Sequence, residues 1–225
     1  DTEVDSNRIK CISYNEQEGA YLIGALAALT VDGESHVYGR VHVNEGPGSW
    51  KYRYGFMEGV LSQDSDATFV FNYVGSYNDP AKAKTLAEQE FAQGAKFINA
   101  AAAGGDAGIF EAAKSKMFYT SGQDTDKTDP NNPWVVSSQI KDTYTTIMQI
   151  IDNYYNGWNT TNEVWGIKEN AIGAVHVNYE SKNPRSDRLS DEDVAKLKKL
   201  VENIRNGTID LKNIPTEEQY TASKK

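Results

Sequence analysis

Residues 72–116, NYVGSYNDPAKAKTLAEQEFAQGAKFINAAAAGGDAGIFEAAKSK, constrain the fold more than any other part of the chain. They carry strand, capped helix, strand, glycine turn and helix in unbroken succession. Residues 69–74 are a short aromatic and β-branched run, the composition of a buried strand. Asp79 is placed to cap the next helix and Pro80 suits its first position. Ala83, Leu86, Ala87, Glu90 and Phe91 give that helix one mostly apolar face, and Gly94 ends it. Residues 97–103 are the following strand, and Gly104-Gly105-Asp106 turns directly into a helix over 107–116. Two consecutive strand–helix units of this length predict a parallel sheet with right-handed crossovers. Ligands of such sheets sit at the carboxyl ends of the strands, where the Gly-Gly-Asp turn falls.

Composition sets the limits of function. With 39% hydrophobic and 24% charged residues in 225, the chain can bury a core of one large or two small domains. A net charge of −9 repels nucleic acid, and no basic cluster offsets it. Cys11 is the only cysteine, which excludes an intrachain disulfide and a cysteine-based metal site. Its place in the apolar run 9–12 predicts an inert core thiol. His36, His42 and His176 are scattered at strand-like positions and read as structural or surface residues rather than metal ligands. No apolar run reaches the ~20 residues of a membrane span. The chain opens on Asp1 without an initiator Met or a signal peptide, as expected of a processed or truncated product.

The remaining elements follow from pattern. A strand is expected over 8–14, then a helix over 16–29 opened by Asn15 and Glu18 at capping-box spacing. Strand 35–43, a Gly/Pro loop over 44–49 and an aromatic helix over 50–61 precede the two units described above. Strand 117–121 leads into the turn-rich loop 122–133, a candidate crossover between lobes. Strand 134–138 and a helix over 139–156 come next; Ile140, Tyr144, Ile147, Ile151 and Tyr154 recur at helical spacing in it. Residues 164–177 read as a hairpin turned at Glu169-Asn170. Ser190 and the acids 191–193 open a helix over 194–206 stopped by Gly207. The tail beyond Pro215 reads as a frayed end.

Several words of the sequence, taken in order, resemble the basic-membrane-protein (Bmp) lipoprotein family. These are substrate-binding components of ABC transporters and include purine nucleoside receptors. The words are EQEGAYLIGALAAL (16–29), YRYGFMEGV (52–60), NYVGSYNDPAKAKTLA (72–87), QGAKFI (93–98), AGGDAGIFEAAK (103–114), GQDTD (122–126), SSQIKD (137–142), WGIKENAIG (165–173) and LVENIRNGTI (200–209). The resemblance implies an α/β fold like that of type I periplasmic binding proteins. Two doubly wound parallel-sheet lobes hold a ligand between them, and here the amino-terminal lobe is incomplete. On this mapping residues 1–33 are a remnant of the amino-terminal lobe and 34–122 form the carboxy-terminal lobe. Residues 123–160 cross the hinge and return to the first lobe, and 161–225 come back to the second. The resemblance also implies an ABC permease as partner and a lipid anchor, absent from this chain, on the extracytoplasmic face of a bacterial membrane.

A nucleoside offers a flat base, ribose hydroxyls and no net charge, so its site needs an aromatic face, hydroxyl acceptors and a few donors. Asp124 is the candidate ribose acceptor, matching an aspartate of the family's usual GVDSD word; the alternative is a turn-forming Asp. Asp126 reads as a cap or turn residue. Lys141 matches a lysine implied to contact the ribose; the alternative is a solvated helix face. A lysine in a helix's first turn opposes the dipole, which favours a role beyond propensity. Gly104 and Gly105 let a ligand approach the backbone, and Asp106 follows at a helix amino end, either capping it or accepting from a base N–H. The family word there is GGTG, so Asp106 is a departure, as is the loop NEGPGS at 44–49. Tyr52 is the expected stacking ring, standing where the family commonly has Phe, and Trp50 is second; core packing is the alternative for both. No Gly-x-Ser-x-Gly elbow, phosphate loop or HExxH motif points to an enzyme, and no cofactor is expected. A sugar or other small metabolite in the same fold, or a sensing or interaction domain without transport, are the competing readings.

Overall fold

The computed structural model describes residues 4–6, 8–157 and 161–223. The expected segment limits at residues 1, 160 and 225 lie outside them. A six-stranded sheet runs in the order β3-β2-β4-β5-β6-β8. Its strands are β2 (Val37–His42), β3 (Thr68–Tyr73), β4 (Phe97–Ala101), β5 (Tyr119–Asp124), β6 (Val135–Lys141) and β8 (Ile172–Ala174). Every neighbouring pair is parallel except β6 with β8. A second, two-stranded parallel sheet joins β1 (Ile12–Tyr14) to β7 (Glu163–Trp165).

Helices cover both faces of the large sheet, as parallel strands require. On one face lie α3 (Pro80–Ala92) and α4 (Asp106–Lys116), packed through Ala83, Ala87, Ile109 and Ala112 onto Val41, Ile98 and Ala100. Asp79 caps α3 as expected, its carboxylate accepting from the Lys82 N–H at 2.9 Å. On the other face lie α1 (Glu16–Val31), α2 (Pro47–Leu61) and α6 (Asp191–Arg205). Ser190 and Asp193 close a reciprocal capping box on α6. The contact between α1 and α2 is made backbone to backbone. A Cβ on Gly55 would stand 2.2 Å from the Gln17 carbonyl oxygen, and one on Gly59 2.0 Å from that of Tyr21.

The packing joins the residues on either side of position 33. Helix α1 is buried along nearly its whole length against α2 and the large sheet, so it is part of the same body as residues 34–122. Strand β6 likewise extends that sheet beside β5 instead of leaving it. The parts that stand away from the core are α5 (Thr143–Tyr155), of which only Thr146 is buried, and the β1–β7 pair, where Val164 is exposed. Tyr144, Ile147 and Ile151 turn the apolar stripe of α5 outward.

Long-range pairing overrides four local patterns. Residues 139–141 are strand, because β8 pairs with them and the Gln139 amide donates to the Glu16 carbonyl at 2.9 Å; Asp142 then caps α5. The expected hairpin over 164–177 is two strands in different sheets. Asn15 makes no capping bond, since Glu18 instead accepts from the Ile167 N–H at 2.7 Å. The tail forms α7 (Glu217–Ser223), docked on α2 through Arg53–Glu217 at 2.7 Å and Tyr220–Glu58 at 2.6 Å. Cys11 is half-buried rather than a core thiol, and its Sγ accepts from the Val4 N–H at 3.2 Å.

Candidate ligand pocket

The carboxyl ends of β2, β4 and β5, with the first turns of α2 and α4, enclose a cavity of about 640 Å³. Tyr52, Gly104, Asp106 and Asp124 all line it, so four residues drawn from distant parts of the sequence share one wall. His42, Gln123 and Lys127 add to its polar lining, with Ser49, Tyr77 and Thr125.

Each is held there for a local reason. Pro47 begins α2, and Tyr52 stands in its second turn with its ring 5.4 Å from the Arg40 guanidinium. Burial raises the Tyr52 hydroxyl above its ordinary pKa, and the negative charges of Glu16 and Asp124 add to this. Asp106 opens α4, and its carboxylate accepts the Ala102 N–H at 2.6 Å. Burial raises its pKa to about 6, against the lowering effect of that bond and of Lys127. Asp106 thus braces the turn before α4 and faces the cavity, and it makes no capping bond to α4 itself. Gly104 is required by close approach: its N–H donates to the Tyr77 carbonyl at 2.9 Å, and a Cβ would stand 2.9 Å from that same oxygen. Asp124 ends β5 in the left-handed region at φ 68°, a conformation Asp and Asn tolerate better than most side chains.

Three expected residues sit elsewhere. Gly105 lies behind the wall, where a Cβ would meet those of Ala102 and Ala83 at 3.1 and 3.2 Å; its absence lets α4 close onto α3. Lys141 is the last residue of β6, not the first turn of a helix, so the argument from the helix dipole does not apply to it. It stands at the same carboxyl edge, one residue past the partner of Asp124, with its Nζ 5.4 Å from the centre of the Tyr14 ring. Trp50 faces away from the cavity. Its indole N–H donates to the Pro215 carbonyl at 2.7 Å, and its ring packs against Tyr54 and Tyr220.

His42, by sequence one of three scattered histidines, lines the cavity as well. The signal was available in its register: it closes β2 on the same face as Arg40, level with the end of β4. Burial and the nearby Arg40 charge keep His42 well below its ordinary pKa, hence neutral. The acids Asp106 and Asp124 are set against the cations Lys127 and Arg40, so the pocket has no strong bias toward a charged guest.

The parallel α/β sheet, with its cavity at the strand ends as in doubly wound folds generally, is of the periplasmic-binding-protein-like class. The solute-binding protein of an ABC transporter system from Aeropyrum pernix K1 superimposes with a TM-score of 0.80 at 20% identity, over 99% of this chain and 71% of that one. The sequence profile of Bmp, described as ABC transporter substrate-binding protein PnrA-like, matches residues 2–214, and the chain belongs to that family. Basic membrane protein A2 of Borrelia garinii subsp. bavariensis is 29% identical over 184 residues, 77% of this chain and 51% of that protein. The ABC transporter nucleoside-binding protein BmpA of Lactococcus lactis subsp. cremoris is 24% identical over 223 residues, 92% of this chain and 60% of that protein. The chain thus spans between half and two thirds of the length of these relatives.

Proposed function

We propose that this chain is the ligand-holding part of an ABC-transporter substrate-binding protein, that it takes up a purine nucleoside, and that it works with a membrane permease from the extracytoplasmic face, held there by a lipid anchor. The observation that carries the reading is the convergence of Tyr52, Asp106 and Asp124 on one cavity at the strand ends. A ring, carboxylate acceptors and balanced charge suit a flat, uncharged guest with vicinal hydroxyls. The family and the printed name of the Lactococcus relative support the choice of ligand. The outward apolar stripe of α5 and the isolated β1–β7 pair suit a second α/β lobe that would close over the cavity by a hinge motion. Lys141, at the same edge, would meet the ribose in that closed form.

Thermal-shift measurements with purine nucleosides, free sugars and amino acids test the ligand. A nucleoside that raises the melting temperature in proportion to the logarithm of its concentration supports the reading. Stabilisation by a sugar alone replaces it with the sugar-binding alternative. A gene neighbourhood without a permease would favour a sensing role.

A further inference from the structure

Beneath the cavity floor lies a guanidinium whose hydrogen-bonding capacity the pocket leaves unused. Arg40 is fully buried, and none of its three guanidinium nitrogens has a hydrogen-bond partner among the described residues. It stands in register with Asn99 of β4, which in turn faces Ser121 of β5. The next residues along the same face of these strands are His42, Ala101 and Gln123, and all three line the cavity. Arg40 is therefore one pleat below the floor, its guanidinium 5.4 Å from the Tyr52 ring and 5.5 Å from that of Phe56.

Its neighbours are short of partners as well. The Asn99 Oδ1, both amide atoms of Gln123 and the His42 Nε2 are buried without full hydrogen bonds. Buried polar atoms are paired in the large majority of cases, so four such residues in one place point to a partner supplied from outside. The donor set is lopsided: a planar fork of five N–H groups faces only a few acceptors. Such a fork selects two adjacent acceptor atoms.

We infer that Arg40 determines base specificity, selecting a nucleoside with a 6-oxopurine base by pairing with its O6 and N7 atoms. This rests on the nucleoside reading above and deepens it. Adenine presents N7 beside an amino donor, which would meet the guanidinium donor to donor. The Asn99 amide oxygen, buried without a hydrogen-bond partner, can accept the N1–H that a 6-oxopurine carries. Tyr52 stands between the guanidinium and the cavity, so binding requires its ring to tilt about its own side-chain torsions, letting the base edge reach the fork while the ring still packs on the base.

Calorimetric titration of the complete natural protein with inosine, guanosine, adenosine and 7-deazaguanosine tests the inference, in the wild type, Arg40→Met and Arg40→Lys. The wild type should prefer inosine and guanosine to adenosine by about tenfold or more, and 7-deazaguanosine should lose a similar factor. Arg40→Met should erase the preference while leaving the ligand-free melting temperature unchanged or higher, since an unpaired buried charge is removed. Arg40→Lys should lose most of the preference, because an ammonium cannot make the two-point contact. Nucleosides that bind with no 6-oxo preference, or a preference that survives both substitutions, overturn the role of Arg40 and leave the nucleoside reading intact. Failure of every nucleoside to bind the wild type overturns both. The 7-deazaguanosine comparison needs no variant and stays decisive if Arg40→Met does not fold.

Discussion

The backbone N–H of Ala102 donates to the Asp106 carboxylate at 2.6 Å, tying the end of β4 to the start of α4 at the wall of the cavity. The same carboxylate is nearly buried, and burial lifts its pKa from 3.8 to about 6. A raised folded-state pKa means that the protonated form fits the fold better. The stabilisation from this group is full below pH 3.8 and is lost as pH rises through about 6. Asp106→Asn keeps an acceptor for Ala102 and carries no charge. Chemical denaturation between pH 3.5 and 7 should show a flatter profile for the variant, with a gain of about 1–3 kcal/mol at neutral pH. If Asp106 accepts from a base N–H, the same variant should bind nucleoside more weakly.

Glu90 gives a second, separable window. It is fully buried on α3 and accepts from the Asn72 amide at 3.0 Å. Burial raises its pKa from 4.5 to about 8, against the hydrogen bonds from Asn72 and from the Arg40 backbone N–H, which lower it. The sign is the same: its contribution is full below pH 4.5 and disappears as pH rises through about 8. Glu90→Gln should match the wild type near pH 4 and exceed it by about 1–4 kcal/mol at pH 8.5. A wild-type slope between pH 6.5 and 8.5 that persists in the variant would assign it to another group.

Gly59 tests the seam between α1 and α2. Its missing Cβ lets the Tyr21 carbonyl approach, and a methyl group there would sit 2.0 Å from that oxygen. Backbone cannot yield as a flexible side chain can, so the helices must separate. Gly59→Ala should cost about 1–3 kcal/mol or more in urea unfolding, despite alanine's better helix propensity. A neutral or stabilising result would mean that the two helices are not packed this closely.

Asp124→Asn separates binding from folding. The left-handed φ of 68° suits Asn as well as Asp, whereas Ala would add backbone strain. The melting temperature should change little, and nucleoside affinity should fall by about 1–3 kcal/mol as a charge-assisted acceptor is weakened. Equal affinities measured by calorimetry would remove Asp124 from the ribose site.

Much of this was readable from local chemistry. The Asp79-Pro80 start of α3 and the Ser190–Asp193 start of α6 follow from capping rules that act over four residues. Tyr52, Asp106 and Asp124 could be placed together because strand–helix alternation fixes which ends of the strands face a ligand. What escaped was decided by partners far along the chain. Gln139 and Ile140 have helical spacing with Ile147, yet β8 and the Glu16 carbonyl hold them as strand. Tyr220 looks like part of a polar tail, but Trp50 and Tyr54 give its ring a place to pack. Arg40 resembles the outward polar residue of an alternating strand, and only the helices on that face bury it.

The position a nucleoside takes in the protein is the most direct test of the ligand pocket. A crystal structure of the complete protein with inosine should place the base against Tyr52, with a ribose hydroxyl within hydrogen-bond distance of the Asp124 carboxylate. Inosine bound elsewhere, for instance in the slot beside Tyr119 and Trp134, with Tyr52 and Asp124 untouched, would contradict it.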